Sequence, residues 1–276
     1  MDIYQTVTGF YNTYEGEKRI IGNSLLGRNL YAMKVGEGMP VGLAVYAVHA
    51  REWITARLAL EQCFSPTVGS VWIVPLLNPD GALLSQVGLE SASGSEYEGF
   101  LSAYSREQLR LWKANARGVD LNVNFDADWG KGAKNVRENG AENGIGARAF
   151  SERETRALRD FTDWVRPDYT VSYHTKGEEI YWRFGKSTQP CLRDRRIGEA
   201  LSKATGYPLK EISGSCGGYK DWCIVRYGIP AFTIETGEDA LAHPLTESAL
   251  PKMVKENAYA LAAVAEAVRR EGIRSK

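Results

Sequence analysis

The stretch that decides the fold reads Gly42-Leu-Ala-Val-Tyr-Ala-Val-His-Ala-Arg-Glu-Trp-Ile54, an apolar run followed by polar residues and then by a helical pattern. Uninterrupted apolar residues over 42–48 are typical of a strand buried on both faces, and residues 54–64 have helical spacing. Further strands of this kind are predicted over residues 70–77, 169–173 and 231–234. Because these strands alternate with helices, the sequence predicts an α/β fold whose largely parallel sheet is covered on both faces.

The remaining helices follow the same alternation along the chain. They are predicted over residues 106–115, 152–165, 193–205 and 247–270. Ser151 and Glu154 open the second of these with the spacing of a capping box. Residues 130–146 are rich in glycine, asparagine and charge, which predicts a surface loop. No repeat or proline-rich linker divides the chain, so we expect one domain over residues 1–276.

The composition excludes several classes of protein. The chain has 276 residues, and its 34 Lys+Arg balance 34 Asp+Glu, so it lacks the basic surplus that nucleic acid or an anionic membrane surface requires. Its 7 Trp, 14 Tyr and 8 Phe need a core, which excludes a disordered chain. No apolar run approaches the ~20 residues of a membrane span, and residues 1–14 lack a signal-peptide profile. We expect a cytoplasmic location unless an export signal has been removed, and nothing indicates the oligomeric state.

Cysteine and histidine counts limit the possible metal chemistry. The four cysteines show no CxxC spacing and are interpreted as buried thiols in a reducing compartment. They are Cys63, Cys191, Cys216 and Cys223. The chain has only three histidines, His49, His174 and His243. His243 lies beside Pro244 in a polar stretch and is expected to be exposed to solvent, with a role in substrate binding as the alternative.

Polar residues follow the predicted strands where their apolar runs stop. His49 follows the first strand and Glu52 comes three residues later, while His174 and Glu235 follow the last two strands. In open α/β sheets, ligands bind outside the carboxyl ends of the strands. The pattern therefore gathers two histidines and two glutamates at one edge of the sheet.

Zinc chemistry explains this mixture of side chains. A catalytic zinc takes three protein ligands, often two His and one Glu, and leaves a fourth position for water. His49, Glu52 and His174 are the predicted ligands of one zinc per chain, and Glu235 is then free to act as a general base. The helical HExxH pattern is absent. The alternative is that His49 and His174 are structural histidines with ordinary hydrogen bonds.

A family resemblance bears on this choice. The chain contains His49-Ala-Arg-Glu-Trp-Ile-Thr55, Asn78-Pro-Asp-Gly81, Gly118-Val-Asp-Leu-Asn122, Tyr173-His174, Gly217-Gly218 with Asp221-Trp222, and Phe232-Thr-Ile-Glu235. In order and spacing these motifs resemble the zinc carboxypeptidases (carboxypeptidase A-like). The resemblance implies that His49, Glu52 and His174 bind zinc, that Glu235 is the catalytic carboxylate, and that one α/β domain surrounds a mixed, mostly eight-stranded sheet.

Three departures from the family pattern concern the substrate. The arginine that grips a terminal carboxylate in ordinary members is expected after Asn122, where this chain has Val123. The family's tyrosine falls on Ser213, which is too short to close over a substrate. The arginine expected after Trp112 is Lys113, which keeps a cation near the zinc. The resemblance leaves Lys113, Arg51 or Arg117 as the cation that stabilises the oxyanion.

A narrower resemblance indicates the substrate class. Residues 112–122, 173–182 and 217–222 are similar to the γ-D-glutamyl-meso-diaminopimelate peptidases, which act on bacterial cell-wall peptides. It implies a peptide partner, a muropeptide stem, held by side chains that include Asn122, Ser213, Tyr219 and Lys220. Lys220 stands where carboxypeptidases read the substrate side chain and should select a negative charge. The alternative for Lys220 is a solvated lysine paired with Asp221 or with a nearby glutamate.

Other functions remain open at the level of sequence. An ordinary metallocarboxypeptidase or an amide deacylase could be built on the same fold. A non-catalytic muropeptide-binding module could keep the metal site. Release of free diaminopimelate from a defined muropeptide distinguishes these alternatives.

Overall fold

One mixed sheet of eight strands organises the molecule. A computed structural model describes residues 1–185 and 189–273, without the side chains of residues 189–191. The strands are β1 (Lys18–Asn23), β2 (Asn29–Gly36), β3 (Val41–Val45), β4 (Ser70–Val74), β5 (Tyr169–His174), β6 (Glu179–Tyr181), β7 (Leu209–Lys210) and β8 (Ala231–Glu235). Their order across the sheet is β1-β2-β4-β3-β5-β8-β6-β7. The sheet and its helices confirm the predicted α/β fold class.

Ten helices accompany the sheet in the part of the chain that the structure describes. They are α1 (Ile3–Thr13), α2 (Ile54–Gln62), α3 (Pro79–Gln86), α4 (Glu98–Leu101), α5 (Arg106–Arg110), α6 (Arg153–Val165), α7 (Gln189–Thr205), α8 (Tyr219–Tyr227), α9 (Leu250–Asn257) and α10 (Ala260–Arg270). Short 3-10 turns cover Ala50–Glu52, Leu89–Ala92, Leu121–Val123 and Glu247–Ala249. No helix in the described ranges is long and apolar enough to span a membrane.

The parallel centre of the sheet consists of the four strands that the apolar runs predicted. Strands β4, β3, β5 and β8 pair in parallel. The pairs β1–β2, β2–β4 and β8–β6 are antiparallel, and β6 and β7 are again parallel. Side chains alternate between the two faces along β3, so that Ala44 joins the core that includes Ile54 of α2, while Leu43 and Val45 join the core that includes Leu158 of α6. The sheet is therefore covered on both faces.

The predicted helix over 106–115 is wrong beyond Arg110, because tertiary hydrogen bonds take over the backbone. The amide of Arg51 donates to the carbonyl of Trp112 (2.8 Å), and the amide of Ala50 donates to that of Lys113 (3.1 Å). The amide of Lys113 in turn donates to the carbonyl of Ala141 (2.9 Å). These bonds join the segment after α5 to the 3-10 turn that follows β3. The predicted helix over 247–270 is likewise divided into a 3-10 turn, α9 and α10.

The predicted capping box at Ser151 is also wrong. Helix α6 begins after Glu152, and the Ser151 hydroxyl donates to the Glu152 carboxylate (2.7 Å) instead of closing a box with Glu154. Glu154 is fully buried and accepts a hydrogen bond from the Leu25 amide (3.0 Å). Its second oxygen has no hydrogen-bond partner within the described structure. Burial, together with the nearby charge of Asp80, raises the pKa of Glu154 to about 8.

Glu154→Gln should therefore change how stability depends on pH. A carboxyl group whose pKa is raised on folding costs nothing below its unfolded value near 4.5 and costs most above about 8. We expect the variant to gain stability relative to wild type as pH rises from 5 to 8.5, by about 1.4 kcal/mol at most per unit of pKa shift. Urea unfolding of both proteins at the two pH values measures this difference. A difference that does not change with pH would contradict it.

The cysteines are free thiols where their side chains are described. Cys63 and Cys223 are buried as predicted, and burial raises the pKa of each thiol to about 12. Cys216 is half-buried. The side chain of Cys191 lies outside the described residues. None of the three described thiols belongs to a group of side chains that could hold a metal ion.

Candidate active site

Two histidines and one glutamate converge where β3 and β5 end. His49 precedes the 3-10 turn that contains Glu52, and His174 is the last residue of β5. The Glu52 carboxylate lies 2.8 Å from His49 Nδ1 through one oxygen and 3.0 Å from His174 Nδ1 through the other. The two Nδ1 atoms are 3.1 Å apart. All three residues are at least 94% buried, with exposures of 6%, 3% and 1%.

This arrangement suits a metal ion. Two imidazole nitrogens that face each other cannot both donate a hydrogen bond to the other, and each also faces a carboxylate oxygen. One ligand atom from each residue lies within 4.8 Å of the others. The donor set, two His and one Glu, is one that catalytic zinc uses. The structure thus brings together the three predicted ligands.

The charge state of the cluster also favours a cation. Burial alone would raise the pKa of Glu52, but His49 and His174 outweigh it and hold that pKa far below its usual range. Burial lowers the pKa of His49, whereas the carboxylates of Glu52 and Asp120 raise it, and the net change is upward. Glu52 therefore remains ionised at neutral pH, as a metal ligand must.

Asp120 lies against His49 on the side away from Glu52, a position that no sequence pattern assigned to it. Its Oδ1 lies 3.3 Å from His49 Nε2, and its Oδ2 accepts the ammonium of Lys113 at 2.8 Å. A carboxylate beside the far nitrogen of a ligating histidine fixes the ring and leaves Nδ1 for the metal. Asp120 is fully buried, and the cations Lys113 and His49 hold its pKa below the usual range in spite of burial.

Glu235, the last residue of β8, lies beside the cluster. It pairs in register with His174 on β5 and with Glu179 on β6. Burial raises the pKa of its carboxyl group to about 7, with Glu52 adding to the rise while His174 and Lys113 oppose it. A carboxyl group with a pKa near neutral can both accept and donate a proton, which suits a general base.

The three candidate cations are separated by the structure. Lys113 is joined to Asp120, and its charge acts on Glu235. Among the described residues, Arg51 makes a long contact to the exposed Glu142 (3.7 Å) and a weak bond to the Leu111 carbonyl (3.4 Å). Arg117 donates to the Tyr97 hydroxyl (2.9 Å) and lies 3.6 Å from Glu152, next to α6. Lys113 is thus the cation joined to the ligand cluster, and Arg117 is engaged elsewhere.

The predicted substrate-binding residues have different surroundings. Asn122 accepts a hydrogen bond from the Tyr219 amide (3.2 Å), and Ser213 is exposed in the loop before α8. The prediction that Tyr219 binds the substrate is wrong. Its side chain is fully buried, shares a hydrogen bond with Thr162 (2.9 Å) and packs in the core, so its ring cannot contact a substrate. Helix α8 turns this side chain toward the sheet.

Lys220, the next residue on α8, lies in a buried ion pair. Its ammonium contacts the carboxylate of Asp221 and donates to the Arg183 carbonyl (3.0 Å). The sequence-based alternative for Lys220 is thus correct in its pairing with Asp221 but wrong in its solvation, because the lysine is only 6% exposed. An ammonium group has three donors, and these contacts use two of them.

His243 is not the exposed residue that its polar loop predicted. It is half-buried, and its Nδ1 is buried with no hydrogen-bond partner in the described ranges. Burial lowers the pKa of His243 to about 4, and the charges of Glu52, Arg51 and Lys176 also act on it. The third histidine therefore lies near the ligand cluster, a position that no local sequence pattern indicated.

Comparison with known proteins gives the same family as the motifs. A family model described as zinc carboxypeptidase matches residues 69–260. The chain is 28% identical to gamma-D-glutamyl-L-diamino acid endopeptidase 1 of Lysinibacillus sphaericus over 82% of its own length, and it spans 62% of that relative. It is 29% identical to murein peptide amidase A of Escherichia coli, covering 73% of this chain and 74% of the relative.

A solved structure with the same fold is bovine thrombin-activatable fibrinolysis inhibitor in complex with a tick carboxypeptidase inhibitor. It matches with a TM-score of 0.78 at 21% identity and covers 98% of both chains. At this identity the match supports the fold alone. The family model covers most of the chain, and the cluster of His49, Glu52 and His174 is suited to the metal that this family uses. The chain belongs to the zinc carboxypeptidase family.

Proposed function

We propose that this metallopeptidase hydrolyses an amide bond in bacterial cell-wall peptides, the bond between the γ-carboxyl group of D-glutamate and the amine of meso-diaminopimelate. The observation that carries the proposal is Val123 after Asn122, where an ordinary carboxypeptidase has an arginine for the terminal carboxylate. The names of two relatives, a gamma-D-glutamyl-L-diamino acid endopeptidase and a murein peptide amidase, support this substrate class.

In this proposal His49, Glu52 and His174 hold one zinc per chain. Zinc at these ligands would polarise the scissile carbonyl group and supply a water of lowered pKa as the nucleophile. Asp120 is placed to orient the ring of His49, since its Oδ1 lies 3.3 Å from Nε2. The chain thus contributes an oriented site, and its other residues handle protons and charge.

Glu235 moves the proton during hydrolysis. Its carboxylate accepts a proton from the attacking water and then donates it to the departing amine. Burial raises the pKa of this carboxyl group, which favours the return of the proton to the amine from the same group. The carboxyl group also lies beside His174 in register, which brings it to the end of β5 where the ligands meet.

Lys113 stabilises the negative charge that develops on the carbonyl oxygen. Its ammonium is held by Asp120 at 2.8 Å, so it is fixed before the reaction begins. A preorganised donor in a water-poor site is worth far more than the same donor in water. Arg51 is less firmly held, by a long contact to Glu142 and a weak bond to the Leu111 carbonyl, and is not assigned to the oxyanion.

The proposal is tested by incubating zinc-loaded protein with L-alanyl-γ-D-glutamyl-meso-diaminopimelate. We expect release of free diaminopimelate, which chelation of zinc should stop. Cleavage of a free C-terminal residue from an N-acylated dipeptide, without release of diaminopimelate, would indicate an ordinary carboxypeptidase. Release only from an N-acylated diaminopimelate would indicate a deacylase, and tight binding of the peptide without any product would indicate a binding module.

Lys220→Met should weaken recognition of diaminopimelate. We expect the third donor of the Lys220 ammonium to bind the carboxylate at the far end of the diaminopimelate side chain, which lysine in the same position lacks. Loss of a charge-assisted bond costs about 1.5–3 kcal/mol, so kcat/KM on the diaminopimelate peptide should fall on the order of 10–100-fold. The loss on a lysine-containing analogue should be much smaller.

The buried ion pair requires a matched control for this variant. Removing Lys220 alone leaves the Asp221 charge buried without its partner, and breaking such a pair costs about 3–5 kcal/mol of stability. Lys220→Met combined with Asp221→Asn removes both charges and should recover much of that stability. If kcat/KM falls equally on both peptides in the double variant, Lys220 supports structure and does not read the side chain.

A further inference from the structure

Two unpartnered polar groups lie at the same edge of the ligand cluster. Arg51 Nε and His243 Nδ1 are both buried and lack a hydrogen-bond partner among the described residues. Nearly all buried polar atoms in native proteins have partners, so such groups beside an active site indicate a ligand that supplies them. The Arg51 side chain as a whole is 23% exposed, so part of it can be reached from solvent.

The Arg51 side chain and the His243 backbone are both hydrogen-bonded to residues at or just after the end of helix α5. The Arg51 guanidinium donates to the Leu111 carbonyl (3.4 Å), and the neighbouring Arg110 donates to the backbone carbonyl of His243 (3.2 Å). Arg110 is itself held by two hydrogen bonds to Glu107 (2.9 and 2.7 Å). Consecutive residues of one short segment therefore bring Arg51 and His243 together.

The charges around this pair favour an anionic ligand. Arg51 has only one described carboxylate partner, Glu142, at 3.7 Å, and that side chain is 51% exposed. Exposed ion pairs of this kind contribute little, so a carboxylate from a ligand could replace Glu142 at low cost. Arginine binds carboxylates through two parallel N–H donors, and its Nε is available for such a contact. Lys176 adds positive charge near His243.

The strand order shows which half of the substrate faces Arg51. Glu235 ends β8, and β6 lies beside it, whereas Arg51 follows β3 on the far side of β5. Glu235 gives its proton to the leaving amine, so the amine half extends toward β6, where Lys220 contacts Arg183. The acyl half therefore extends toward β3 and Arg51.

We propose that Arg51, assisted by the imidazole of His243, binds the free α-carboxylate that a γ-linked D-glutamate carries on the acyl side of the scissile bond. This inference rests on the proposed function. A γ-linked glutamate keeps its α-carboxylate four bonds from the attacked carbon, whereas an α-linked peptide has no backbone carboxylate on that side. Arg51 would thus be a specificity-determining residue that recognises the γ-linkage.

The test compares two peptides that differ only in this group. One is L-alanyl-γ-D-glutamyl-meso-diaminopimelate, and the other carries an amide in place of the α-carboxylate. We expect zinc-loaded wild type to prefer the acid by about 10–100-fold in kcat/KM, as for other charge-assisted bonds. Arg51→Met should lose that factor on the acid and change little on the amide, so that the preference disappears. Arg57→Met, a partly exposed arginine paired with Glu247, is the matched control and should retain it.

His243 is tested by a conservative pair of variants. His243→Phe keeps the ring but removes Nδ1, and it should raise KM for the acid peptide with little change on the amide. His243→Asn supplies an amide nitrogen near the same place and should recover part of the preference. Equal changes on both peptides in either variant would assign His243 to structure and not to recognition.

Three outcomes separate this inference from the proposed function. Equal wild-type kcat/KM on acid and amide overturns the inference and leaves the proposed function intact, as does an equal loss on both in Arg51→Met. If wild type hydrolyses neither peptide, calorimetry with zinc-loaded Glu235→Gln decides. If this protein binds the acid peptide more tightly than the amide, and Arg51→Met abolishes the difference, the inference about Arg51 stands although the proposed activity does not. If it binds neither peptide, both the inference and the proposed function are overturned.

Discussion

Glu235→Gln will lower kcat for release of diaminopimelate by roughly 10²–10⁴-fold, the range that general acid–base catalysis contributes. The amide keeps the shape of the side chain beside His174 but can neither accept the proton of the attacking water nor deliver it to the amine. The zinc ligands are untouched, so zinc content and the affinity for the peptide should remain close to those of wild type. Steady-state kinetics with elemental analysis measures all three quantities.

A matched control for this variant is Glu238→Gln, three residues further along the chain. Glu238 is an exposed carboxylate 3.4 Å from Lys252, and its change should leave kcat within a factor of about two, as surface substitutions usually do. If Glu235→Gln kept more than a tenth of wild-type activity, Glu235 would not be the base. The cation Lys113 and the metal would then have to account for catalysis without it.

The centre of the fold could be predicted from sequence because its strands are buried on both faces. Every residue of β4 and β5 is buried, and in β4 this burial gives the apolar run over residues 71–74 that a single sequence reveals. The edge strand β1 has only half-buried and exposed residues, and β7 has two residues in all, so neither has such a run. Their place in the sheet depends on pairing with neighbours and not on their own pattern.

The ligand cluster could be predicted because strand ends meet in space. His49 and His174 end up close together since β3 and β5 are parallel neighbours with aligned registers, and Glu52 is three residues away in a tight turn. Asp120 and His243 reach the same place from loops, through long-range contacts such as the bond from Arg110 to His243. Loop geometry of this kind has no periodic signal in the sequence.

The motif Gly217-Gly218 does not by itself show which of the side chains that follow it faces the substrate. Tyr219 and Lys220 are neighbours in sequence, and adjacent residues on a helix do not face the same side. Only one of the two side chains could therefore point away from the core, although the motif predicted that both bind the substrate. The structure buries Tyr219 against Thr162 and directs Lys220 to Asp221 and Arg183.

His49→Ala and His174→Ala should each abolish zinc binding, from about one zinc per chain in wild type, and with it the activity. Each change removes one of three protein ligands, and the two that remain do not supply the three protein donors that a catalytic zinc requires. Most of the fold should survive. The cores on both faces of the sheet do not depend on the ion, unlike the core of a small zinc domain.

The third histidine and the supporting aspartate make this prediction specific. His243→Ala should keep its zinc, because His243 is not one of the three clustered ligands. Asp120→Asn should lower zinc affinity by about 10–100-fold without abolishing it, as replacing the partner of a ligating histidine typically does. Elemental analysis after dialysis, with circular dichroism to confirm folding, distinguishes the four proteins. Unchanged zinc in both His49→Ala and His174→Ala would rule out the site, since together they supply two of its three donors.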